Sequence, residues 1–140
     1  MDHSATMRRS YELINEGDID GFGHLMAEGF VEHEDTPGLP ATKDGVLQFF
    51  RGYRDAFPDL RMDAEEVIAS GDRTVARVKA SGTQDGEFMG MPPSGRRVEV
   101  QLIDIMRFDD AGLIAEHWGV VDMLSMLQQL GAVPQGGPAA

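Results

Sequence analysis

Asp104 stands where a strand would normally carry an aliphatic side chain. Val98, Val100, Leu102, Met106 and Phe108 alternate with Arg97, Glu99, Gln101 and Arg107. This is the period-two pattern of a strand with one buried face, and Asp104 falls on the apolar side. A carboxylate there costs several kcal/mol unless it is paired, hydrogen-bonded or protonated. Asp109-Asp110-Ala111-Gly112 then turns the chain into Leu113–Val120, a second strand. Pairing Phe108 with Leu113 puts Asp104 opposite His117, with Cβ atoms roughly 5 Å apart. A bulge at Gly112 would shift the pairing by one residue and bring Trp118 there instead. A carboxylate beside an imidazole can hold a proton near neutral pH and donate to a developing oxyanion. The same spacing also suits a buried ion pair that satisfies only itself.

A further acidic pair precedes this. Glu32 and Glu34 share a face with Phe30, and His33 shares its face with Val31. Either glutamate, or His33, is a candidate base, and the glutamates are favoured if Phe30 points inward. The alternative is an exposed edge strand rich in charge.

The elements that must position these groups follow from periodicity. Ser4–Asn15 reads as a helix with Met7, Tyr11 and Ile14 on one face, and Ile19–Ala27 as a shorter one. A strand covers Phe30–Glu34. Thr36-Pro37-Gly38-Leu39-Pro40 is a loop. Thr42 caps an amphipathic helix whose apolar face includes Val46, Phe49, Phe50 and Tyr53, and Pro58 ends it. Strands follow at Leu60–Ala69, Thr74–Gln84 and Val98–Phe108, with a loop over Gly86–Gly95. Asp122 caps a last helix, Met123–Leu130, ended by Gly131. Helices first and antiparallel strands after give an α+β layout, in which a curved sheet encloses a pocket against the helices. Residues 1–131 are expected to form one domain, and 132–140 a disordered tail.

Composition narrows the function. The 140 residues carry 24 acidic against 12 basic side chains, a net charge of −12 at pH 7. That surface repels phosphate backbones, so nucleic acid is not an expected partner. No apolar run has the length of a membrane helix and no signal-peptide pattern opens the chain, so the expected location is cytoplasmic. The absence of cysteine removes thiol chemistry and disulfides. Neither HxH nor HExxH spacing occurs, and no metal is expected. Gly21-Phe22-Gly23 lacks the strand and third glycine of a dinucleotide site, and no serine sits in a nucleophile elbow. Trp118 reads as packing on the outer sheet face.

Four stretches carry a resemblance: Ala56-Phe57-Pro58-Asp59-Leu60, the run Gly86 to Arg96 with Met91-Pro92-Pro93 at its centre, Glu116-His117-Trp118-Gly119-Val120, and Gln128-Gln129-Leu130-Gly131. They resemble the SnoaL-like polyketide cyclases of the nuclear transport factor 2-like (cystatin-like) fold. That implies a cone-shaped curved antiparallel sheet wrapped around the N-terminal helices, chemistry without a cofactor, and a homodimer or higher homo-oligomer. In the aklanonic-acid-type cyclases an aspartate two residues after the histidine is the acid–base group. Gly119 holds that position here, and Asp104 replaces a histidine on the preceding strand. Leu102–Ile114 is similar instead to the ketosteroid isomerase strand that bears the oxyanion-hole aspartate, which Asp104 matches. Glu34 falls near that enzyme's base. Its oxyanion tyrosine would fall at Ser10, one place from Tyr11.

The sequence therefore points to an enzyme for a small lipophilic carbonyl compound, such as a polyketide or terpenoid, that works by cyclisation or isomerisation. Asp104 is the acid or oxyanion donor, His117 its partner or a base, and Glu32 or Glu34 a second base. His33, Phe50, Tyr53, Met89, Met106 and Gly119 are expected to contact substrate. Epoxide or ester hydrolysis on the same fold, and a pocket that only binds, are the alternatives.

Overall fold

The computed structural model describes residues 2–134. Helix α1 spans His3–Glu16, α2 Ile19–His24, strand β1 Met26–Glu32 and helix α3 Lys43–Ala56. Strands β2 (Arg61–Ser70), β3 (Arg73–Thr83), β4 (Arg97–Phe108) and β5 (Ile114–Val121) follow, and α4 (Met123–Gln129) closes the order. The tail expected from residue 132 lies, from 135 onward, outside the described residues.

Each helix starts where a side chain can take up a free backbone N–H. Asp2 accepts from Ala5, Asp18 from Gly21, Thr42 from Gly45 and Asp122 from Ser125. Gly17 ends α1 in the left-handed conformation at φ 79°. The second helix is shorter than its apolar pattern predicts. It ends at His24 because the backbone turns into β1: the Ile114 N–H donates to the Leu25 carbonyl, and Met26 enters the core.

The sheet runs in the order β1-β5-β4-β3-β2. Strands β2 to β5 form the expected antiparallel meander. The sheet as a whole is mixed, however, since β1 lies along β5 in parallel. Parallel partners are joined by long connections rather than tight turns, so no turn signal announces this pairing. The core lies between the curved sheet and the helices, with Met7, Ile14, Phe57, Val78 and Phe108 among its most buried members.

Two polar side chains fasten helices to the sheet. Asn15, one turn beyond Tyr11, donates to the Met62 carbonyl at 2.9 Å and accepts the Met62 N–H at 2.7 Å. It thereby completes the backbone pairing of β2 across to α1. Arg54, near the end of α3, donates to the carbonyls of Ile14, Asn15 and Leu60. The position of Tyr11 is set by these contacts. Truncating Asn15 leaves a buried N–H and C=O unpaired, so Asn15→Ala is expected to cost about 1–3 kcal/mol. Urea unfolding checks this as a lower midpoint with an unchanged m-value.

Candidate functional site

The hairpin β4–β5 brings Asp104 and His117 together by a different register from the one expected. Phe108 pairs with Ile114, and from there an extra residue, Ala115, shifts the ladder, so that Arg107 pairs with Glu116 and Asp104 with Gly119. One slip relative to the Phe108–Leu113 pairing occurs at the turn, where Gly112 sits at φ 80°, and the second at Ala115. A single slip turns every side chain to the opposite face, and two restore the original faces. His117 therefore lies diagonal to Asp104 on the same inner face, and its Nε2–H donates to Asp104 Oδ1 at 2.7 Å. The odd-numbered slip that would have brought Trp118 inward does not occur. Trp118 is on the outer face, stacked on His33 at 4.7 Å with Arg73 over its ring.

Parallel pairing supplies the second carboxylate. Glu32 at the end of β1 pairs with His117 on β5, and Glu32 Oε1 accepts from His117 Nδ1 at 2.5 Å. From the other side the Tyr11 hydroxyl donates to Asp104 Oδ2 at 2.7 Å. A continuous buried chain results: Tyr11–Asp104–His117–Glu32. Burial alone would push His117 down, but hydrogen bonds and charge from Asp104 and Glu32 outweigh it and raise its pKa from 6.5 to about 10. His117 is thus an imidazolium with both N–H groups donating, and it has no free lone pair with which to act as a base. Burial, and then the Asp104 charge, hold the Tyr11 phenol well above its usual range, so it stays protonated.

Glu34 completes the cluster differently. Its side chain, half-buried, has no hydrogen-bond partner among the described residues, while its backbone N–H donates to Glu32 Oε1. Burial pushes its carboxyl above the usual 4.5; the His117 charge opposes this, and the Asp104 and Glu32 charges add to it. A Cβ built on Gly119 would overlap Glu34 Oε1 and come within 2.8 Å of His117 Cε1 and 2.9 Å of Asp104 Oδ1. A side chain at 119 would force the Glu34 carboxylate, the most flexible of the three groups, out of this place.

These groups open into a cavity of about 430 Å3, a size suited to a small molecule. Its wall is otherwise apolar and aromatic. Phe50, Tyr53, Met89 and Met106 line it, together with Phe22, Phe49 and Phe88. His33 does not: it points from the outer face, where its Nε2 meets Glu116 at 2.7 Å. The alternation along β1 explains this, since Phe30, Glu32 and Glu34 turn inward and Val31 and His33 outward. Gly119 lies beneath the acidic groups rather than on the wall. Tyr11 is the residue that sequence reasoning left in the core. Its phenol, on the buried face of α1, was the available signal, and the ungapped count missed it by one position.

Glu34, Asp104 and His117 offer one ligand atom each within 4.8 Å of one another. Both His117 nitrogens are already committed to carboxylates, which does not suit a metal ligand.

Comparison with known proteins adds to this geometry. The profile of a family described as SnoaL-like polyketide cyclase matches residues 4–130. TsrD from Streptomyces laurentii is similar at 33% identity over 92% of this chain and 94% of that one, with a TM-score of 0.84. IdmH from Streptomyces antibioticus, a candidate polyketide cyclase, shares 34% identity over 94% of this chain and 99% of that one, with a TM-score of 0.80. AclR from Streptomyces galilaeus, a candidate hydroxylase, shares 30% over 98% and 85%, with a TM-score of 0.87. Among curated protein sequences no significant match is found.

Two outcomes are expected from the cluster. A pKa raised on folding stabilises the native state fully below the unfolded value, and the stabilisation is lost as pH rises through the folded one. Unfolding free energy should therefore fall between pH 6.5 and about 10, and His117→Gln should remove that part of the decline in urea titrations. Gly119→Ala should displace Glu34 and loosen the His117–Asp104 contact. NMR titration of the ring would then show His117 losing its proton below the native value of about 10.

Proposed function

The chain belongs to the SnoaL-like polyketide cyclase family, and we propose that it is a cofactor-free acid–base cyclase or isomerase for a small lipophilic carbonyl compound of polyketide or terpenoid type. The observation that carries this reading is an unpartnered, desolvated carboxylate, Glu34, next to an imidazolium held by hydrogen bonds to Asp104 and Glu32 inside an apolar cavity. A base whose pKa is raised towards neutrality, beside an acid that holds its proton, is the arrangement needed to remove a proton from carbon and deliver one to oxygen.

In this reading the Glu34 carboxylate takes the proton on the carbon next to a substrate carbonyl. The electron pair moves onto the carbonyl oxygen as an enolate. In a cyclisation the enolate carbon attacks a second carbonyl of the same molecule, forming a carbon–carbon bond and an alkoxide. His117 gives up the Nε2 proton to that oxygen, and the proton held by Glu34 returns to His117 to close the cycle. Substrate and product are isomers, and no electrons are gained or lost. Asp104 holds the imidazolium in place, and the Tyr11 hydroxyl, which donates to Asp104, fixes that carboxylate in turn. Glu32 keeps the ring oriented and protonated.

A pocket that only binds was favoured in sequence by Gly119, where related cyclases carry the catalytic aspartate. The place of Glu34 over Gly119 weakens that argument, since a carboxylate reaches the same space from the segment after β1.

The test is exchange and turnover of aromatic polyketones in deuterated water, followed by NMR. Wild type is expected to exchange the protons next to a carbonyl and to form a cyclised product of unchanged mass apart from deuterium. Glu34→Gln should lower the exchange rate by about 10²–10⁴-fold. Asp104→Asn removes the charge that keeps His117 protonated and should lower turnover by about 10²–10⁴-fold, the range of a general acid. The kcat/KM profile should lose activity on its acid side at a pH above 4.5, as Glu34 protonates. Unchanged exchange in Glu34→Gln would remove the mechanism.

A further inference from the structure

The chain contains two tyrosines, and both line the same cavity. The Tyr11 hydroxyl is taken up by Asp104 at 2.7 Å. The Tyr53 hydroxyl has no hydrogen-bond partner among the described residues, although the residue is only 7% exposed. Its ring is held on several sides. It stacks on Phe88 at 5.4 Å, meets Phe57 edge-on at 5.3 Å, and leans on Phe49 at 5.4 Å. The phenol therefore has a fixed direction that costs a ligand no ordering. Phenylalanine would make the same ring contacts, so the hydroxyl contributes nothing to this packing. Burial, with the Glu34 charge, raises its pKa to about 12, so the group stays a donor.

We propose that Tyr53 is a second polar anchor, a specificity-determining donor to a ligand oxygen distinct from the one held at Tyr11, Asp104 and His117. The occupant is then a flat, largely apolar molecule with two oxygen functions, one for each anchor. The proposal rests on the functional reading in taking Asp104 as the reacting end, but its test is one of binding and needs no turnover. A dihydroxylated or diketonic ring system fits. A carboxylate does not, because Glu32, Glu34 and Asp104 line the same cavity and like charges repel. The aromatic wall formed by Phe49, Phe50 and Phe88 accepts the faces of the rings.

Positional isomers of dihydroxynaphthalene, with 2-naphthol as the single-oxygen reference, serve as probes. Dissociation constants come from ligand fluorescence with wild type, Tyr53→Phe and Asp104→Asn. At least one isomer should bind wild type about 5–10-fold more tightly than 2-naphthol, as one added hydrogen bond allows. Tyr53→Phe should erase that advantage and leave 2-naphthol unchanged, while Asp104→Asn should weaken both probes together and leave their ratio intact. The unfolding midpoint of Tyr53→Phe controls for packing. Equal weakening of all probes by Tyr53→Phe, or no isomer that gains over 2-naphthol, overturns the proposal. Neither result touches the proton-exchange test of Glu34, so the two readings fail separately.

Discussion

An imidazolium held between two carboxylates is the interaction on which the rest of the site depends. His117 comes from β5, Asp104 from β4 and Glu32 from β1. Three neighbouring strands must therefore be in register before any of the groups has a partner. A buried charge that loses its partner is costly, typically 3–5 kcal/mol when one member of a pair is removed. The triad consequently works as a register lock: any odd-numbered slip of β5 would turn His117 outward and leave Asp104 in the core without its countercharge. The same contacts that fix the strands also hold a proton where a substrate oxygen can meet it.

Around this lock the apolar elements act mainly as a mould. Helix α1 brings Tyr11 onto Asp104, and α3 supplies an aromatic wall through Phe49, Phe50 and Tyr53. The loop after β3 is organised by Gln84, which is almost wholly buried. Its side chain donates to the Met91 and Pro92 carbonyls and accepts from Ser94. That loop seats Phe88 against Tyr53 and leaves Met89 at the border of the cavity with φ 50°. A non-glycine residue in the left-handed region is sustained only when its surroundings determine it, and here Phe88 and Met91 pair on either side.

Much of this was legible in the chain, for identifiable reasons. Asp104 stood out because alternation along one strand is a local property, and the inward turn of Glu32 and Glu34 followed from the same parity with Phe30. The exact ladder was not legible: Gly112 announces one irregularity, but nothing marks Ala115 as an extra residue. The contact with His117 was nonetheless anticipated, because two slips preserve the face. The bond from Glu32 to His117 was out of reach, since it depends on a parallel pairing across most of the chain. Tyr11 was hidden for another reason. A tyrosine on the apolar stripe of a helix is read as packing until something shows where its hydroxyl ends.

Gly119 carries a consequence for where the acid of this site can stand. An acidic side chain at 119 and the Glu34 carboxylate, as it now lies, compete for one space. An acid at 119 would have to displace the flexible Glu34 side chain to enter the site. The two positions are thus coupled in space: what stands at 119 decides where the Glu34 carboxylate can rest.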